Sequence, residues 1–97
     1  MAAYVIAEVE VTDPRAYDDY RKRVAPTIAQ YGGRFLVRGG NVESKEGGWQ
    51  PPRFVIVEFP SMDRARAWYH SPEYAPALAI RLKASKSRLI IAEGVPA

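Results

Sequence analysis

The chain has 97 residues, a formal net charge of +3, one histidine and no cysteine. That length allows one small domain, 1–97, which buries only about 60–65% of the surface its unfolded chain exposes. Disulfide and thiolate chemistry are excluded, no apolar run approaches the ~20 residues of a membrane span, and the dispersed basic residues, ten of them arginine, form no long stripe of the kind nucleic acids require.

Tyr4 to Val11 is the first predicted strand. Its odd positions Val5, Ala7, Val9 and Val11 are apolar, and its even positions Tyr4, Ile6, Glu8 and Glu10 pass from apolar to acidic. A period of two puts these sets on opposite faces. Met1-Ala2-Ala3 runs straight into this strand without a signal-peptide pattern, so a cytoplasmic protein is expected. Asp13-Pro14 caps and opens a helix whose buried stripe is Tyr17, Tyr20, Val24, Thr27, Ile28 and Tyr31. Pro26 falls inside it and predicts a kink or restart. The run Arg21-Lys22-Arg23 beside Asp18 and Asp19 reads as a solvated helical face. Gly32-Gly33 ends the helix.

Arg34 to Arg38 is the second strand, with Phe35 and Val37 on one face and Arg34, Leu36 and Arg38 on the other. Gly39-Gly40 predicts a bulge, after which Asn41 to Lys45 continue the strand. A turn-like stretch carrying Trp49 follows. Phe54 to Phe59 is an unbroken aromatic and branched run, suited to a strand covered on both faces. Pro60 stops it, Ser61 caps a helix with Met62, Ala65, Trp68 and Tyr69 inward, and Ser71-Pro72-Glu73 opens another with Ala75, Leu78, Ala79 and Leu82 inward. Arg88 to Glu93 is the fourth strand.

The order is βαββαβ, which predicts an α+β ferredoxin-like sandwich: a four-stranded antiparallel sheet with both helices on one face. The helices are assigned to the Val5, Ala7, Val9, Val55, Val57, Phe59 side. The opposite side holds Tyr4, Ile6, Leu36, Phe54, Ile56 and Ile90, mixed with Glu8, Arg38 and Glu58. Such an apolar patch exceeds what monomers tolerate. Hiding a few hundred Å2 at ~25 cal/mol per Å2 gives several kcal/mol before association costs. A homodimer joined through the helix-free sheet face is therefore expected.

The opening AYVIAEVEVTDP, then YGGRFLVRGG, EGGW, FPSMDRARAWYHSPEY and RLIIAEG together resemble the small bacterial family catalogued as domain of unknown function 1330, along essentially the whole chain. That family is similar to the dimeric α+β barrel superfamily, which includes cofactor-free quinone-forming monooxygenases, muconolactone isomerase-like proteins, haem-degrading enzymes and ligand-sensing domains. The resemblance implies a dimeric α+β barrel and no particular reaction.

Glu8, Arg38 and Glu58, placed together on the covered face, are the candidate catalytic groups. A desolvated carboxylate there is a base, and Arg38 holds an anion or enolate. The bland alternative is structural ion pairing. Trp49, Tyr74, His70 and Arg81 are candidate substrate-binding residues. Trp49 is otherwise a loop anchor, His70 a helix-end residue, and Arg81 a partner of Glu58 or Glu73. Metal is not expected, since one histidine without a cysteine supplies no ligand set, and no cofactor is expected. Two functions stand: a cofactor-independent monooxygenase- or isomerase-like enzyme on a small organic acid or phenolic or quinone compound, and a non-catalytic ligand-binding or interaction domain.

Overall fold

The computed structural model describes residues 1–96 of the chain. Its elements are β1 (Ala3–Val11), α1 (Pro14–Gln30), β2 (Arg34–Arg38), β3 (Phe54–Phe59), α2 (Met62–Tyr69), α3 (Ala75–Ala84) and β4 (Ser85–Glu93). The strands form one antiparallel sheet in the order β2-β3-β1-β4. This is the ferredoxin-like α+β arrangement, with β1 and β3 central.

Alternation along the strands decides which face each side chain takes. Ala3, Val5, Ala7 and Val9 of β1 are at most 6% exposed, and so are Val57 and Phe59 of β3. They meet Tyr17, Tyr20, Val24 and Ile28 of α1, Ala65 and Trp68 of α2, and Ala77 and Ala84 of α3. The Asp13 side chain accepts from the Ala16 N–H, and Ser61 does the same for Arg64, so both helices start at side-chain caps. α1 runs through Pro26 without interruption, because one missing N–H is a local loss inside a helix packed along its length.

Three local expectations are corrected. The bulge lies at Leu36, between Phe35 and Val37, rather than at Gly39-Gly40, and residues 41–45 form no strand. Phe35 pairs with Val57, but Val37 pairs with Ile56 and Arg38 with Val55. The inserted residue flips the rest of β2, as a one-residue slip must. The third correction concerns α3, which starts at Ala75 instead of at Ser71. Ser71 still caps, accepting from the Tyr74 N–H at 3.1 Å, but it closes a turn. The inward stripe of α3 is Ala77, Arg81 and Ala84, whereas Ala75, Ala79 and Leu82 face outward.

On the helix-free face, Val37, Ile56, Ile6 and Ile90 line up in one row across all four strands. Ionic pairs flank the row: Arg34 with Glu58 at 2.8 Å on one side, Arg88 with Glu8 on the other. No helix among the described residues is long and apolar enough to cross a membrane.

Candidate functional site

Two concavities, one on each face of the sheet, are lined by four of the expected site residues: Glu8 and Trp49 on one face, Arg38 and Arg81 on the other. The helix-free one is an open depression of ≈ 270 Å3 lined by Ile6, Glu8, Trp49, Phe54, Arg88 and Ile90. Trp49 is folded back over it. Its indole N–H donates to Glu8 Oε2 at 2.7 Å, and its ring stands edge-on to Phe54 at 6.0 Å. Arg88 donates to the other Glu8 oxygen. Hydrogen bonds from Trp49 and Arg88 therefore hold the Glu8 carboxyl below its usual range. A carboxylate stabilised as an anion is a poor base, so the expectation of a proton acceptor with a raised pKa fails at Glu8. Glu58 accepts from Arg34 Nε at 2.8 Å and lies across the Ile6 row from Glu8.

Arg38 is not with them. The Leu36 bulge carries it to the helix side, where its guanidinium donates to the Arg21 carbonyl at 2.7 Å and stands 4.2 Å over the Phe35 ring. The grouping of Glu8, Arg38 and Glu58 is therefore corrected: the two carboxylates share a face, and the arginine belongs to the opposite one. His70 is exposed at the C-terminal end of α2, against Tyr69, and lines neither concavity.

The second concavity is a narrow cleft between the helices and the sheet. Tyr17, Tyr20, Arg38, Arg53, Trp68 and Arg81 are among its lining residues, which include no Asp, Glu or His. It leaves ≈ 30 Å3 free, space for roughly two waters. Arg81 is only 3% exposed. Its Nε donates to Tyr74 Oη at 3.4 Å and another guanidinium N–H donates to Ser87 Oγ. Tyr74 Oη lies 3.0 Å from Tyr20 Oη. Arg81 has no carboxylate within 4 Å among the described residues, and the expected pairing with Glu58 or Glu73 is corrected: Glu58 takes Arg34, and Glu73 accepts from Tyr31 at 2.8 Å.

Burial acts to lower the Arg81 pKa, but the neighbouring Tyr74 and Tyr20 outweigh it and the net direction is upward. Burial, with Tyr74 adding to it, pushes the Tyr20 phenol far above its ordinary range. Arg81 is thus a fixed cation whose neighbouring Tyr20 phenol stays protonated. Such a set attracts an oxyanion and stabilises charge developing on an oxygen. Trp68 closes the floor. It is 2% exposed, its ring lies 4.1 Å from that of Tyr74, and its N–H donates to Thr27 Oγ1 at 3.0 Å.

Of the expected binding residues, the fold thus brings Tyr74 and Arg81 together, and sends Trp49 and His70 elsewhere. Sequence reasoning missed Tyr20, Tyr17 and Arg53. A signal existed for the tyrosines: two phenols on a buried stripe require partners for their hydroxyls.

The model of a family described as a domain of unknown function, DUF1330, matches residues 2–95. Among solved structures, a protein of unknown function from Rhodopseudomonas palustris superposes with a TM-score of 0.77 at 20% identity, over 99% of this chain and 84% of that one. A dimeric ferredoxin-like protein of unknown function from Jannaschia sp. CCS1 gives 0.69 at 12% identity, over 97% and 100%. SnoaB, a cofactor-independent oxygenase from Streptomyces nogalater, gives 0.66 at 13% identity, over 99% and 95%. At these identities the likeness concerns the fold. No curated protein matches the sequence.

Proposed function

This chain belongs to the DUF1330 family, and on that premise we propose a homodimeric small-molecule-binding protein whose ligand is a small organic acid or a phenolic or quinone compound. The ligand sits in the helix-side cleft and is held there through an oxygen carrying negative charge. The observation that carries this reading is Arg81, a buried guanidinium whose partners are neutral oxygens. A buried cation that forgoes a carboxylate loses solvation without full compensation. A ligand oxyanion supplies what is missing. The free volume is small, so binding requires outward movement of the side chains at the mouth.

The homodimer is supported by the apolar row Val37-Ile56-Ile6-Ile90, left open in the single chain, and by the dimeric neighbour from Jannaschia. Trp49 and Glu8 then belong to the covered face and serve it structurally.

The same constellation favours a second, catalytic reading. The Arg81 guanidinium, with the one O–H that the Tyr20–Tyr74 hydrogen bond leaves free, lowers the energy of an enolate or phenolate formed from the ligand. That is the requirement of an enzyme that works on an ionised substrate without a cofactor, and one structural neighbour is a cofactor-independent oxygenase. Against it, the cleft lining offers no proton acceptor, so binding without turnover is preferred. Thermal-shift measurements with phenols, quinols and small aromatic acids, run beside oxygen-uptake assays on parent and Arg81→Met protein, separate the readings. Stabilisation without uptake, lost in Arg81→Met, supports binding. Uptake lost in the variant supports catalysis. No stabilisation by any member of the series contradicts both.

A further inference from the structure

We infer that Arg53, with Arg38 and Arg21, forms an oxyanion subsite at the mouth of the cleft, so that the ligand is an acid with a carboxylate or phosphate at the mouth and a phenolic or enolic oxygen directed inward. The inference rests on the cleft being the ligand site and adds the charge and polarity of what enters it.

Three guanidinium groups converge at one end of the cleft. Arg38 stacks on Phe35 at 4.2 Å, and the Arg53 guanidinium stands 5.5 Å over the Tyr17 ring. Neither has a carboxylate within 4 Å among the described residues, and Arg21 has only the exposed Asp18, at 3.8 Å. Arg53 Nε is buried with no hydrogen-bond partner, and it is the one such side-chain nitrogen or oxygen among the described residues. An unsatisfied donor of this kind is uncommon and calls for an acceptor. The like charges also oppose one another: burial, then Arg21 and Arg53, depress the Arg38 pKa. One anion between them would relieve the repulsion and satisfy the donor together.

The backbone is shaped around this group. Gly39 has φ +76°, and a Cβ there would lie 2.2 Å from Arg53 Nη1. Glycine thus lets the chain turn and lets the guanidinium lie flat against it. The Leu36 bulge is what delivers Arg38 to the same place. The Val9 N–H donates to the Arg53 carbonyl, and Val9 pairs with Ser87, the residue that anchors Arg81. Arg53 and Ser87, whose Oγ accepts from Arg81, therefore flank β1 at one level, two strand spacings apart, on the order of 10 Å between backbones. Tyr17 and Tyr20, with ring centroids 5.3 Å apart, sit over the interval. A neutral phenol can use the inner end alone, whereas an acid bearing a phenol uses both.

The test is calorimetric titration of the whole chain in low-salt, phosphate-free buffer with phenol, 4-hydroxybenzoate and inorganic phosphate. The expected result is 4-hydroxybenzoate binding at least tenfold tighter than phenol, with an affinity that falls as salt rises. Arg53→Gln abolishes that preference, and Arg53→Lys retains part of it. The Arg53 Nε–H resonance of the parent shifts on adding 4-hydroxybenzoate, a readout that needs no variant. Displacement of the acid by inorganic phosphate extends the subsite to phosphate monoesters. Failure to displace narrows it to carboxylates, and either outcome supports an oxyanion subsite. Equal binding of phenol and 4-hydroxybenzoate, or a preference that survives Arg53→Gln, overturns the subsite and leaves the cleft reading intact. If neither compound binds the parent, the cleft reading falls and takes the subsite with it.

Discussion

A guanidinium that is 3% exposed and faces hydroxyl oxygens loses most of its hydration and regains little Coulomb energy. Replacing it with an apolar side chain of similar length should therefore leave the unliganded protein at least as stable. Arg81→Met is expected to match or exceed the parent in urea melts while losing stabilisation by phenols and aromatic acids. A clear loss of stability would mean that Arg81 serves the fold. Tyr20 gives a pH prediction. Its folded pKa lies above the unfolded value of about 10, so its contribution is complete below pH 10 and is lost as pH rises beyond it. Urea midpoints should fall between pH 9 and pH 11, and fall less in Tyr20→Phe. Glu8 has the opposite sign. Its folded pKa is depressed by Trp49 and Arg88, so the Trp49 contact persists above pH 4.5 and is released as pH drops through the lower folded value. Trp49 emission should shift with a midpoint below 4.5, and the step should vanish in Glu8→Gln. In the sequence, Arg81 was visible as a charge near a helix stripe, but its burial was not. The apolar residues of α3 also fit a stripe through Leu78 and Leu82, and only packing against Tyr74 and Ser87 selects the other phase.

Element boundaries follow from caps and breakers that the sequence displays, which is why β1, α1 and β3 were legible almost to the residue. Strand phase after a bulge is different. Nothing in RFLVR marks Leu36 as the extra residue, because the inserted position is chosen by pairing with β3. That one residue separates Arg38 from the carboxylates with which alternation grouped it. Gly33 illustrates a constraint of packing. A Cβ there would lie 2.6 Å from Phe59 Cε1 and 2.8 Å from Ile28 Cγ2, both in the core. Gly33→Ala is expected to cost about 1–3 kcal/mol by overpacking in chemical denaturation. Pro26 points the other way. It is exposed and inside a continuous helix, so Pro26→Ala restores a donor to α1 and should stabilise by about 1–2 kcal/mol, after the gain in unfolded-chain entropy is subtracted.

The protomer is a slab of 34 × 32 × 17 Å, thick enough for one sheet and one helical layer. Trp49 lies over only one flank of the apolar row on the sheet's open side, where Ile90 is still 60% exposed. Static light scattering at micromolar concentration is expected to return twice the 10.9 kDa of one chain, and Ile90→Asp is expected to return a single chain mass. In the proposed reading the two faces divide the work: the open side joins copies and the helix side receives the ligand. That division is tested most directly by a 4-hydroxybenzoate titration of the nitrogen-15-labelled protein, followed at the arginine Nε–H and tryptophan indole resonances. The account predicts that Arg53 and Arg81 shift with a common saturating curve while the Trp49 indole stays still. Movement of Trp49 with Arg53 and Arg81 unmoved would place the ligand on the other face and contradict it.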